Sequence, residues 1–129
     1  MPYHFEFEAE HRILLAVLEG DVQNEELLRV NREIRGLIKK LKPSAGITDA
    51  SPVETFNVSP QTIRTLSSES SPYPDPIPRF LVAPTDFLFG MARMYTIGGD
   101  REEVQVVRSR AEALAAIGAE NANFERLEN

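Results

Sequence analysis

Cysteine is absent from the 129-residue chain, which removes disulfides, thiolate catalysis and every sulfur-based zinc site from consideration. Long apolar runs are absent too. No stretch approaches the ~20 residues needed to cross a bilayer, and the opening MPYHFEFEAEH has no basic region leading into an apolar one, so it does not read as a secretory signal. The expectation is a cytoplasmic chain, in which the sequon Asn57-Val58-Ser59 carries no meaning for glycosylation. Positive charge is in short supply, with a net charge of −6, and this argues against nucleic acid, whose phosphates need a basic surface. The basic residues Arg29, Arg32, Arg35, Lys39, Lys40 and Lys42 do cluster along one segment. Glu25, Glu26 and Glu33 offset them there, and Glu25–Arg29 and Arg29–Glu33 are i,i+4 pairs typical of a solvated helix surface.

Histidine is scarce. His4 and His11 stand beside no serine or threonine motif, and two histidines without further suitably spaced ligands do not make a metal site. There is no phosphate-binding glycine loop of either common type. No metal, no cofactor and no enzymatic activity are therefore expected. What remains is ordinary for one globular domain, with 42% apolar and 26% charged residues. A domain of this size buries roughly two thirds of its unfolded surface, enough to fold without a staple.

The chain alternates strands and helices. Tyr3–Glu8 alternates aromatic and polar residues, the period of a strand with one wet face at a sheet edge. His4 falls on that wet face and His11 in the turn that follows. Ile13–Leu18 is apolar at every position and so lies inside the sheet, paired with the first strand as an antiparallel hairpin. Asp21 or Asn24 can cap the next helix, whose Leu27, Val30, Ile34, Leu37, Ile38 and Leu41 form one apolar stripe before Pro43 stops it. Ala45–Asp49 is a short strand, and a helix starts at Ser59-Pro60. Residues 67–79, SSESSPYPDPIPR, carry four prolines and four serines. They are expected to form a mobile loop without regular structure. Residues 80–83 form a buried strand, Thr85 caps a second helix reading DFLFGMARMYTIGG, and 103–108 form a fifth strand. Ser109 with Glu112 opens the last helix as a capping box, and Gly118 closes it. The order β-β-α-β-α-β-α-β-α implies a mostly parallel five-stranded sheet with an antiparallel N-terminal edge strand. One domain covers 1–118, followed by a polar tail, 119–129, expected to fray.

With its elements in this order, the hairpin opening, the strand ending in Asp49, the helix at Ser59, the run FLVAPTDFLFGMARMY and the closing VQVVRSRAEALAAIG, the chain resembles the anti-sigma-factor antagonist (STAS) fold and, within it, the SpoIIAA-like group of small bacterial proteins. The resemblance implies a non-enzymatic regulatory or protein-interaction module. In that family the helix after the aspartate-ending strand begins Asp-Ser-Ser-Gly, and its serine is phosphorylated to switch partner binding. Here Asn57-Val58-Ser59-Pro60-Gln61 stands in its place, without the preceding aspartate or the following glycine. Ser59 reads as an N-cap, with Pro60 at the first helical position, although a phosphate there would still meet the positive end of the helix dipole. The same fold class also resembles the lipid-carrying Sec14-like domains, which implies an alternative as carrier or sensor of an apolar, lipid-like ligand with peripheral membrane association.

The residues to watch follow from this. Asp49 ends a parallel strand, where α/β sheets bind ligands, or it accepts backbone N–H bonds in its turn; a hydrolase or transferase built on it is a third reading. The helix after Thr85 is apolar nearly all round. Phe87, Phe89, Met91 and Met94 are expected to border an apolar cleft or a homodimer face, with Arg93 at the rim for an anionic headgroup or a partner carboxylate.

Overall fold

A computed structural model describes residues 2–70, 72, 77–99 and 103–127. The expected five strands and four helices are all present. Strand β1 (Tyr3–Glu8) pairs antiparallel with β2 (Ile13–Leu18), and β2, β4 (Ala45–Asp49), β6 (Arg79–Val82) and β7 (Val104–Val107) run parallel to one another. The helices are α1 (Asn24–Leu41), α2 (Pro60–Ser68), α3 (Asp86–Gly98) and α4 (Arg110–Ile117).

Three strands go beyond the expectation. β3 (Gly20–Gln23) and β5 (Val53–Asn57) pair in parallel as a separate two-stranded sheet. β8 (Glu125–Arg126) pairs with β1, so the main sheet has the order β7-β6-β4-β2-β1-β8 and β1 is not its edge. The tail does not fray within its described part. Leu127 donates its backbone N–H to the Phe5 carbonyl at 2.9 Å, while Ala119 is buried and Phe124 packs on the core. Gly118 makes this return possible. At φ 82° it sits in the left-handed region, where glycine has no Cβ penalty, and the N–H groups of Gly118 and Ala119 both reach back to Leu114.

The sheet separates two apolar layers. Leu14, Ala16 and Leu18 face α1 and α3, and Ile13, Leu15 and Val17 face α4 and the tail. Continuous apolar sequence in β2 is thus the signature of a strand covered on both faces. The polar side of β1 is less wet than its alternation implies. His4 lies between Glu6 and Glu19, at 2.7 and 3.1 Å.

The expected loop at 67–79 is shorter than its prolines imply, because α2 continues through Ser68 and β6 takes up Arg79. Residues 71 and 73–76, on which the expectation of mobility mainly falls, lie outside the described residues. The cap of α1 also differs from expectation. Gln23 is its N-cap residue, with Glu26 accepting the Gln23 backbone N–H at 3.1 Å. Asp21 and Asn24 are engaged elsewhere. Among the described residues no helix is long and apolar enough to cross a membrane.

Candidate functional site

The start of α2 is a tied corner. Ser59 is its N-cap: its hydroxyl accepts the Thr62 backbone N–H at 3.2 Å and lies 3.0 Å from the Thr62 hydroxyl. The Ser59 N–H in turn donates to the Asn24 side chain at 2.9 Å, and Asp21 accepts from the Asn57 amide at 3.2 Å and the Gln23 amide at 3.0 Å. Both residues expected to cap α1 therefore fasten the ends of β3 and β5 to each other. This corner fixes where α2 begins, and the Ser59 hydroxyl is occupied by the helix it caps.

Asp49 is 2% exposed. One carboxylate oxygen accepts the Ser51 N–H at 2.8 Å, the turn bond the sequence allows for, and the other accepts from Arg110 Nε at 2.7 Å. Sequence reasoning missed Arg110. The signal was a cation in the first turn of α4, where the helix dipole disfavours it; a buried carboxylate partner compensates. The Asp49 side chain points to the α4 side of the sheet and serves as an anchor.

Thr85 caps α3, its hydroxyl accepting the Leu88 N–H at 3.2 Å. The four apolar residues singled out on α3 separate into different environments. Met91 is buried. Phe89 is half-buried beneath the Arg108 guanidinium, 4.2 Å from its ring centre, and Arg108 also pairs with Asp86 at 3.0 Å. Met94 is half-buried against the core. Phe87 is 59% exposed and meets Phe56 edge to face at 6.3 Å. Ile97, at 68%, is the other large exposed apolar side chain among the described residues. Phe87, Gly90, Met94 and Ile97 recur at three- and four-residue steps, so they form one stripe on the outside of α3. Gly90, exposed, leaves a gap in its middle with open space where a side chain would stand. Arg93 is exposed beside the stripe.

On the inside of α3 lies an apolar cavity of about 130 Å³. Met91 and Tyr95 wall it on one side, Val30 and Ile34 of α1 on the other, and Thr48 and Leu81 form its floor. Of the four residues expected to border an apolar cleft or a homodimer face, Met91 lines this cavity; Phe87, Phe89 and Met94 do not. Arg93 is likewise outside. Positions 87, 91 and 94 share a helix face by their i, i+4, i+7 spacing, so the helical period turns away only Phe89; Phe87 and Met94 flank Met91 without lining the cavity.

Both histidines bond carboxylates rather than hydroxyls: His4 as above, and His11 with Glu8 at 2.9 Å. Burial opposes ionisation of Glu8. The backbone N–H and ring of His11 outweigh it and hold the carboxyl below its ordinary pKa.

Strand order, helix placement and the aspartate-ending central strand together define the SpoIIAA-like, or STAS, fold. The chain is similar in structure to an anti-sigma factor antagonist from Mycobacterium paratuberculosis, with 14% identity, a TM-score of 0.54, and 90% of this chain and 94% of that one covered. It is also similar to the Bacillus cell fate determinant SpoIIAA in its phosphorylated form, with 13% identity, a TM-score of 0.50, and 89% and 98% covered. No family model matches the chain, and no curated protein matches it in sequence.

Proposed function

We propose that this chain is a non-enzymatic regulatory module that docks a protein partner on the outer face of α3. The observation that carries the reading is the exposed pair Phe87 and Ile97 with the Gly90 gap between them, half-buried Met94 alongside and exposed Arg93 at the side. Two exposed apolar anchors flanking a side-chain gap fit an apolar knob, and the free cation beside them fits a carboxylate on the same partner. The Phe56–Phe87 contact makes this face continuous with the end of β5, just before the Ser59 corner. The fold supports the same reading, since one structural neighbour is an anti-sigma factor antagonist; a partner of that kind is a protein rather than a small substrate. Ser59, Thr85 and Asp49 are engaged as caps and anchor, which supports a non-catalytic role.

The test is a defined complex. A partner recovered with the tagged chain is identified, purified and mixed with it again. A stoichiometric complex is expected, weakened more than about tenfold by Phe87→Asp or Ile97→Asp and less by Arg93→Ala. Equal binding by the parent and both aspartate variants would overturn the assignment of this face. Self-association that those variants abolish would replace the heterologous partner with a second copy.

A further inference from the structure

In a chain of net charge −6, the surface shared by α2 and α3 is short of acid. α2 carries no carboxylate, and the single one on α3, Asp86, is paired with Arg108. Two arginines of these helices are exposed, Arg64 and Arg93, and neither guanidinium is paired among the described residues. Their placement follows from the helix packing. Both helices return between parallel strands on one face of the sheet, so they run in the same direction, and Ser67 of α2 abuts Gly98 of α3. Arg64 stands one turn before Ser67 and Met94 one turn before Gly98, which sets them level. Pro60, Arg64 and Ser67 fall at i, i+4 and i+7 along the edge of α2 beside α3. Arg93 is on the other flank, one turn after Phe89, on the side turned towards Arg108. The exposed pair Phe87 and Ile97, with Gly90 between them, is therefore bracketed by an unpaired cation on each side.

We propose that the segment seated on this face is an amphipathic helix of a partner protein whose apolar row is flanked on both sides by aspartate or glutamate. The proposal rests on the docking reading above and specifies its occupant. Charge is the first argument. Two unpaired guanidinium groups suit two carboxylates, and charges at the rim of an interface select the partner and its register. Geometry is the second. Helices packed side by side stand about 8–10 Å apart, so a third helix, about 10–12 Å across, spans from one arginine rim to the other. Bare Gly90 lets its apolar row approach the α3 backbone. A strand fits less well, since its side chains alternate between opposite faces and carboxylates beside an apolar row would point away from the arginines.

Two synthetic peptides of about 18 residues, long enough to hold a helix, are suitable probes. Both repeat leucine at three- and four-residue steps; one carries glutamate and the other lysine on the flanking positions. Binding is read by methyl NMR of the full chain labelled at methionine. The glutamate peptide should shift the Met94 methyl and bind about tenfold tighter than the lysine peptide, with an advantage that shrinks as salt is raised. Arg64→Glu and Arg93→Glu should each weaken it about fivefold or more, and the double variant should prefer the lysine peptide. The proposal fails if the glutamate peptide leaves Met94 unmoved below about 1 mM, if the parent binds both peptides equally, or if the double variant keeps the parent's preference. Phe87→Asp separates this failure from that of the docking reading. Equal binding of both peptides that Phe87→Asp abolishes would keep the face and overturn its acidic occupant, whereas glutamate-peptide binding untouched by Phe87→Asp would overturn the face itself.

Discussion

Replacing Arg110 by alanine tests whether the link between the end of the central strand and the last helix carries stability. The change strands the Asp49 carboxylate, 2% exposed, with the Ser51 N–H as its remaining neighbour among the bonds described above. Removing one member of a fully buried pair costs about 3–5 kcal/mol. Two corrections reduce this. The Arg110 side chain keeps 36% of its exposure, so solvent already screens the pair and the cost falls to the lower part of the range. Taking a cation out of the first turn of α4 returns about 0.3–1 kcal/mol through the helix dipole. The net expectation is a loss of about 2 kcal/mol, or about 4–10 °C in Tm for a chain of this length. Urea denaturation of the parent, Arg110→Ala, Asp49→Asn and the double variant forms the cycle. Once Asp49 is uncharged, losing Arg110 should cost under ~0.5 kcal/mol. An Arg110→Ala cost that is equally large in the Asp49→Asn background would refute the electrostatic reasoning and leave only packing.

Ser59→Ala should cost about 1 kcal/mol in denaturation, while Ser59→Asp should be near neutral because a carboxylate also caps and suits the dipole; an alanine variant as stable as the parent would remove Ser59 as a cap. A Cβ on Gly98 would stand 2.9 Å from the Ser67 hydroxyl and 3.5 Å from its Cβ, so Gly98→Ala should be unfavourable alone but neutral or stabilising, by up to about 1 kcal/mol, in a Ser67→Ala background. Burial, then the neighbouring Glu33 carboxylate, raise the Tyr3 pKa above 10.0. Its contribution is therefore complete below pH 10 and lost as pH rises through the folded value, and Tyr3→Phe should flatten the alkaline limb of a stability–pH curve relative to the parent. Glu8 has the opposite sign. Its pKa is depressed from 4.5, so its contribution is present above that pH and lost as pH falls through the folded value; Glu8→Gln should lower stability at neutral pH and flatten the acid limb.

The strands legible in the sequence are those whose pattern is local. Tyr3–Glu8 alternates and Ile13–Leu18 does not, and each reports its own burial. β3 and β5 were missed because four- and five-residue strands pair only with each other across the length of α1; Val22 between Asp21 and Gln23 was the faint signal. β8 has no pattern at all, since Glu125 and Arg126 contribute backbone rather than side chains to the sheet. The greasiness of α3 was plain, but its division into an outer stripe, an arginine-covered Phe89 and an inner wall depends on what stands opposite each residue. The cavity was beyond reach for a related reason. It is a volume left between helices whose stripes are individually correct, and no residue encodes a void. Ser59 and Thr85 were readable as caps because capping is satisfied within four residues.

The returning C-terminal segment has a consequence for how the molecule meets its own copies. Without it, β1 would present an open row of backbone donors and acceptors beside three aromatic residues, a ready template for strand addition by another chain. Two paired residues and the Leu127–Phe5 bond occupy that seam. The small clasp acts as a guard against edge-to-edge polymerisation as much as a contributor to stability. Cutting the chain after Gly118 would reopen that seam and also uncover the core beneath Ala119 and Phe124, so loss of solubility on standing at high concentration should accompany a fall in Tm, whereas the opposite edge at β7, only four residues long, is protected by its brevity.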